Sequence, residues 1–218
     1  MVSAGQTTVD LVERTGVVAI IRLKDPGQVR DVATALIEGG VRALEITMTV
    51  PGAIDLIGQI APTVPADLRL GAGTVVDGRT AAACIDTGAS FIVSPVLRRD
   101  VLTVCRERDV PAMPGCFSAT EILDAWDAGA AIVKVFPATS LGPGYIKDLR
   151  GPLPHLKLMP TGGVTIENAA EWIRAGAVSV GIGSALTDPA ALAARDYGAI
   201  AARARRLVDA VHDAKGGR

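Results

Sequence analysis

A (β/α)8 barrel with a short N-terminal helix and a C-terminal helical tail is the fold this 218-residue sequence predicts, on three observations. From residue 17 onward, eight apolar segments of strand length alternate with segments of helical character. The strands are apolar on both faces, as parallel strands covered by helices should be. A recurring phrase also ends helices in glycine just before the next strand: Glu38-Gly39-Gly40-Val41, Thr87-Gly88-Ala89, Ala128-Gly129-Ala130 and Ala175-Gly176-Ala177. Its spacing is a multiple of roughly one strand–helix unit, the mark of a repeat. A doubly wound open sheet is the alternative, weakened because no strand opens a GxGxxG phosphate loop. One domain spanning 1–218 is expected, because this length supports a single large core near the lower end for such barrels.

In chain order, a short helix is read at 8–14 and a strand at 17–22. Asp25-Pro26 opens a helix that runs to about residue 38 and stops at Gly39-Gly40. A strand at 43–47 precedes a helix at 51–61, with Pro51 near its first turn. The strand at 68–74 ends in Gly71-Ala72-Gly73-Thr74 and leads to a helix at 79–87. A strand at 91–94, a helix at 98–108 and a short strand at 111–114 follow. Ser118 then caps a helix with Glu121 at its N3 position, a capping-box pattern. The sixth strand is the run Ala130-Ala131-Ile132-Val133-Lys134-Val135-Phe136-Pro137. After it come a Gly142-Pro143-Gly144 loop, a helix at 145–149, a strand at 156–161, a helix at 165–175 and a strand at 178–182. The Ala- and Arg-rich tail at 189–212 makes one or two helices.

Composition narrows the function. With 22 basic and 23 acidic side chains the net charge is −1, which argues against nucleic acid or an anionic membrane as the main partner. Small anionic ligands stay open, because they respond to local groups. Aromatics are only 3% of residues, so the core must be aliphatic. Residues 1–16 carry acids and no apolar core, unlike a secretory signal, and no apolar run is long enough to span a bilayer. Cys84, Cys105 and Cys116 are too irregularly spaced for a disulfide framework or a CxxC metal site, and are expected as buried thiols. His155 and His212 are the only histidines, against a His-based zinc site or a Ser-His-Asp triad. The expectation is a soluble cytoplasmic globular protein.

The sixth strand holds the sharpest chemical signal. Lysine is almost never fully buried without a partner, yet Lys134 sits within an apolar run. Side chains alternate across a strand, so Ile132, Lys134 and Phe136 share one face and Val133 and Val135 the other. Two readings are open from this stretch alone: an edge strand with its lysine in water, or an amine whose pKa desolvation lowers, making it a nucleophile. Barrel enzymes carry their reactive groups at the C-terminal ends of strands. Those ends offer Arg22, Glu45 with Thr47, Thr74, Ser94, Lys134 with Phe136, Thr161, and Ser184 just past the eighth strand. By the same parity Glu45 and Thr47 oppose Leu44 and Ile46, so Glu45 and Lys134 both point inward if helices cover the aliphatic faces. A structural ion pair is one explanation; a general base beside a Schiff-base lysine is the other. Thr161-Gly162-Gly163-Val164 and Gly181-Ile182-Gly183-Ser184 end strands seven and eight, where barrels frequently bind phosphate through backbone N–H groups. Glycines serving only tight turns are the competing explanation. Arg22 is equally readable as an anion ligand or a rim cap.

Leu44-Glu45-Ile46-Thr47, Gly71-Ala72-Gly73-Thr74-Val75, Ser94-Pro95, Pro114-Gly115, Val133-Lys134-Val135-Phe136-Pro137-Ala138 and Pro160-Thr161-Gly162-Gly163-Val164 occur in that order. Together they resemble the 2-keto-3-deoxy-6-phosphogluconate aldolase family, which includes the 4-hydroxy-2-oxoglutarate aldolases, over about residues 17–186. The resemblance implies a class I aldolase without metal or other cofactor, usually a homotrimer. It implies that Lys134 forms the Schiff base and Glu45 is the acid/base. Thr74 would bind the pyruvate carboxylate and Phe136 line the pocket. Thr161 would contact substrate, and Gly162, Gly163 and Ser184 would hold the phosphate with Arg22 nearby. Many members follow the Glu-x-Thr-x segment with an arginine that pairs with the substrate carboxylate; Thr49 stands there instead. Arg22 is the expected replacement. The implied substrate is the gluconate-derived acid, with the galactonate-derived acid or 4-hydroxy-2-oxoglutarate as alternatives. An imine-free phosphate-binding isomerase or epimerase, or a non-catalytic sugar-phosphate binder, would leave Lys134 and Glu45 without a joint role.

Overall fold

Every strand pairing in the computed structural model, which describes residues 3–216, is parallel. β1 (Val17–Ile21) lies between β2 (Ala43–Thr47) and β9 (Val180–Ile182), and β2 leads on through β3 (Arg69–Gly73) and β4 (Ile92–Val93) to β5 (Ala112–Met113). β6 (Gly115–Cys116), β7 (Val133–Val135) and β8 (Leu158–Pro160) continue the curve. Two seams close it. At the first, Pro114 splits one strand into β5 and β6, since proline has no N–H for the ladder. The neighbouring chain still follows both halves: Ala131 N–H donates to Ala112 O and Lys134 N–H to Pro114 O. At the second, Thr161 just past β8 bridges Gly181 of β9. The result is an eight-stranded (β/α)8 barrel. The expectation of a fifth strand at 111–114 is corrected, because the strand runs on past the proline to Cys116.

The helices are α1 (Ala4–Thr15), α2 (Val29–Glu38), α3 (Ala53–Ile60), α4 (Gly78–Asp86), α5 (Arg99–Glu107), α6 (Ala119–Asp127), α7 (Gly142–Arg150), α8 (Ala169–Arg174), α9 (Pro189–Ala194) and α10 (Tyr197–Gly216). The tail thus makes two helices, and the Ser118–Glu121 capping box opens α6 as read. Gly142-Pro143-Gly144 is not a loop but the first turn of α7, where proline loses nothing by lacking an N–H. None of these helices is long and apolar enough to cross a membrane.

The glycine phrase has a definite geometry. Gly40, Gly88, Gly129 and Gly176 all have φ between 95° and 113°, a region only glycine enters freely. In each case the next N–H reaches five residues back, as in Val41 N–H to Leu36 O and Ala177 N–H to Trp172 O. These are Schellman caps, and they turn the chain straight into the next strand. Asp109, at φ 51°, ends α5 the same way without a glycine, with Val110 N–H bonded to Cys105 O.

Strand parity sorts the core into two layers. Leu44, Ile46, Val133 and Val135 face the helices and join the large outer cluster with Leu36, Ile57 and Ile146. Val18, Ala43, Phe91, Val93, Met113, Ile132 and Met159 fill the barrel interior, and Val9, Leu11 and Val12 of α1 pack onto them. The first helix therefore plugs the N-terminal end of the barrel. The polar residues lie at the opposite end.

Candidate active site

Glu45 and Lys134 occupy inward positions near the C-terminal ends of β2 and β7. Glu45 sits between Ile20 and Gly71 in register, Lys134 between Gly115 and Met159. The helix-facing layer takes Leu44, Ile46, Val133 and Val135, which leaves Glu45 and Lys134 turned into the barrel at 1% and 4% exposure. The edge-strand reading of Lys134 is ruled out by that burial and by pairing on both sides.

The structural ion pair fails too. Among the described residues no ion pair joins Glu45 to Lys134, and neither Glu45 oxygen has a hydrogen-bond partner. Burial pushes the Glu45 carboxyl above the usual carboxylate range, with Lys134 and Arg22 pulling it back in smaller measure. Burial likewise holds the Lys134 amine below its ordinary value; Glu45 opposes this and Arg22 adds to it. Lys134 Nζ lies 4.8 Å from the centroid of the Phe136 ring. The amine lowers the carboxyl's proton affinity and the carboxylate raises the amine's, but each offsets the other's shift only in part, so desolvation governs both.

Glycines make room for these groups. A Cβ on Gly73 would overlap the Glu45 carboxylate, and one on Gly71 would overlap the Phe91 ring. The Gly71-Ala72-Gly73 phrase is therefore steric on its inward face.

Arg22, just past β1, is exposed and donates through Nη2 to Thr74 Oγ1 at 3.4 Å. Thr74 follows β3 directly at φ 59°, an unusual place for a β-branched residue. The chain beyond it is pinned: Val75 N–H donates to Val93 O, and Ser94 Oγ donates to Val75 O at 2.5 Å. Thr49 is exposed, its hydroxyl 2.7 Å from that of Thr47.

A cavity of about 690 Å³ opens beside this cluster, lined among others by Arg22, Phe136, Thr161, Gly162, Gly163 and Ser184. Glu45, Lys134 and Thr74 do not line it, but Phe136 touches Lys134 and Arg22 touches Thr74, so the two spaces share walls. Thr161 Oγ1 is buried and unpaired, and Gly181 lacks the Cβ that would strike it. Gly162 and Gly163 are consecutive left-handed residues, φ 87° and 74°. All nine predicted site residues are thus gathered at one end of the barrel in two adjoining groups. Sequence reading missed Asn168, which donates through Nδ2 to Gly163 O at 2.9 Å. The Thr165-x-x-Asn168 spacing of a capping turn was the available signal. Cys84, Cys105 and Cys116 are buried free thiols, pushed up to about 11, 12 and 12 mainly by burial, and serve packing.

Residues 9–203 match the family model for KDPG and KHG aldolase. The chain belongs to this family. It is 38% identical to the 2-dehydro-3-deoxy-phosphogluconate aldolase of Pseudomonas aeruginosa over 72% of this chain and 71% of that one. It is 34% identical to the KHG/KDPG aldolase of Escherichia coli over 94% and 96%, and 35% identical to that organism's 2-dehydro-3-deoxy-6-phosphogalactonate aldolase over 78% and 83%. A solved KDPG aldolase from Legionella pneumophila, with pyruvate captured at low pH as a covalent carbinolamine, superposes with TM-score 0.84 at 27% identity, covering 91% of this chain and 97% of that one. As a member of the KDPG/KHG aldolases, the chain is a class I aldolase.

Proposed function

We propose that this aldolase cleaves 2-keto-3-deoxy-6-phosphogluconate to pyruvate and glyceraldehyde 3-phosphate, with Lys134 as the Schiff-base lysine and Glu45 as the acid/base. The observation that carries these roles is the pair itself: a carboxylate and an amine, both buried in one barrel end and not bonded to each other. Burying such groups unpaired costs stability, and strongly perturbed ionisable pairs of this kind cluster at reactive sites.

Neutral Lys134 Nζ attacks the C2 ketone, and the resulting carbinolamine loses water to give a protonated imine. Glu45 takes the C4 hydroxyl proton, directly or through a water. The C4 oxygen becomes the aldehyde oxygen as the C3–C4 bond breaks, and its electron pair flows into the imine to form an enamine. Glyceraldehyde 3-phosphate departs. The enamine takes a proton at C3, and water hydrolyses the imine, freeing pyruvate and the amine. Arg22 and Thr74 together take the carboxylate, Arg22 standing in for an arginine at Thr49. Phe136 walls the pocket between the reacting carbons and the cavity, and Thr161 supplies its unpaired hydroxyl. Gly162, Gly163 and Ser184 seat the phosphate through backbone N–H groups. In this reading the enzyme is one domain over 1–218, a cytoplasmic homotrimer needing no metal or organic cofactor.

The curated relatives at 34–38% identity act on three different acids by name, which keeps the galactonate-derived acid and 4-hydroxy-2-oxoglutarate as second readings. Comparing kcat/KM for the three acids decides between them. The gluconate-derived acid is expected to lead by tenfold or more; the same lead for either rival overturns the assignment.

A further inference from the structure

We propose that Asn168 is a positioning residue for the phosphate end of the substrate, acting by fixing the peptide between Gly163 and Val164; this rests on the reading that the Gly162-Gly163 turn seats the phosphate. Asn168 Nδ2 donates to Gly163 O at 2.9 Å, and its Oδ1 accepts from Thr165 N–H at 2.8 Å. Thr165 returns a bond, its Oγ1 accepting from Asn168 N–H at 3.2 Å. One side chain therefore holds two points of the turn and is itself held.

The consequence lies on the other side of the peptide. The 163–164 bond is trans, so the Gly163 carbonyl and the Val164 N–H point in opposite directions. With the carbonyl drawn to Asn168, the Val164 N–H is directed away from it. Val164 lines the cavity and Asn168 does not, and among the described residues the Val164 N–H has no acceptor. The turn also runs close against Thr139: a Cβ on Gly163 would lie 2.9 Å from Thr139 Cα, so no larger residue fits there. Two successive left-handed glycines are soft, because glycine has the widest conformational freedom. Asn168 is what converts that soft turn into a fixed donor.

The test compares Asn168→Ala and Asn168→Ser with wild type on the phosphorylated keto acid and on 4-hydroxy-2-oxoglutarate, with inorganic phosphate as a competitive inhibitor. Serine is too short to reach Gly163 O and serves if the alanine variant folds poorly. The expected result is a fall of about tenfold in the preference ratio (kcat/KM for the phosphorylated acid over kcat/KM for the unphosphorylated one). It should come through KM, with the phosphate inhibition constant rising in parallel. Equal losses on both substrates, or an unchanged ratio, would overturn the proposal. A wild-type enzyme that neither prefers the phosphorylated acid nor responds to phosphate would instead overturn the phosphate seat on which it rests.

Discussion

Arg22, just past β1, reaches the hydroxyl of Thr74, 3.4 Å away just past β3, the two strands that flank β2. That contact places a guanidinium beside a residue held in the left-handed region, and its field reaches Lys134 and Glu45 as well.

Removing the guanidinium by Arg22→Ala should raise KM for the keto acid about 10- to 100-fold, the size of a lost charged hydrogen bond. A second effect has a fixed sign. Arg22 helps to lower the Lys134 pKa, so its loss lets that pKa rise, and the acid limb of imine formation should move to higher pH. Adding Thr49→Arg to this variant should restore part of the binding. An unchanged KM would place the carboxylate elsewhere.

Glu45→Gln separates the two halves of the reaction. Cleavage should fall by about 10²- to 10⁴-fold, as expected for a lost general base. Glu45 raises the Lys134 pKa, so glutamine should let it fall further, and imine formation with pyruvate should begin at lower pH than in wild type. The two pH profiles, read by turnover and by pyruvate trapping, should part in opposite directions from those of Arg22→Ala.

Thr74→Gly tests stored strain. A β-branched residue at φ 59° costs roughly 1–2 kcal/mol, and glycine removes that while adding about 0.5–1 kcal/mol of unfolded-state entropy. The variant should melt at or slightly above wild type, by up to about 3 °C, while its KM rises. A melting point several degrees lower would mean that the Thr74 hydroxyl is structural rather than held for substrate.

Lys134→Met should stabilise the protein at neutral pH by about 2–4 °C, the shift that roughly 1 kcal/mol gives in a chain of this size. The sign follows from linkage. The folded-state amine pKa lies below its ordinary 10.5, so between those two values the unfolded chain binds the extra proton and wild-type stability rises with pH. The advantage of methionine should therefore shrink as pH approaches 10.5. A constant difference across that range would mean that Lys134 is not desolvated.

Much of this was legible in the chain because it follows from periodicity and parity. Lys134 and Glu45 could be aimed inward once the aliphatic faces of their strands were assigned to the helices, and the Gly40, Gly88, Gly129 and Gly176 caps announced themselves by repetition. Other features depend on contacts between distant segments. Pro111–Pro114 reads as a strand with a stop at each end, yet the ladder continues past Pro114 because the run through β7 supplies donors on both sides, Ala131 before it and Phe136 after it. Gly142-Pro143-Gly144 has loop composition, but proline in a first helical turn gives the same letters. That α1 plugs the barrel with Val9, Leu11 and Val12 needs the closed ring to exist first. Gly73 looks like a flexible residue and proves to be the seat of the Glu45 carboxylate, a fact carried by β2 rather than by its own neighbours.

The central claim is that Lys134 forms the imine, and borohydride reduction in the presence of pyruvate tests it most directly. Peptide mass analysis after reduction should find one three-carbon adduct per chain, on the peptide holding Val133-Lys134-Val135, with activity lost in proportion and no labelling of Lys134→Met. An adduct on another lysine, or loss of none of the activity after full reduction, would contradict the account.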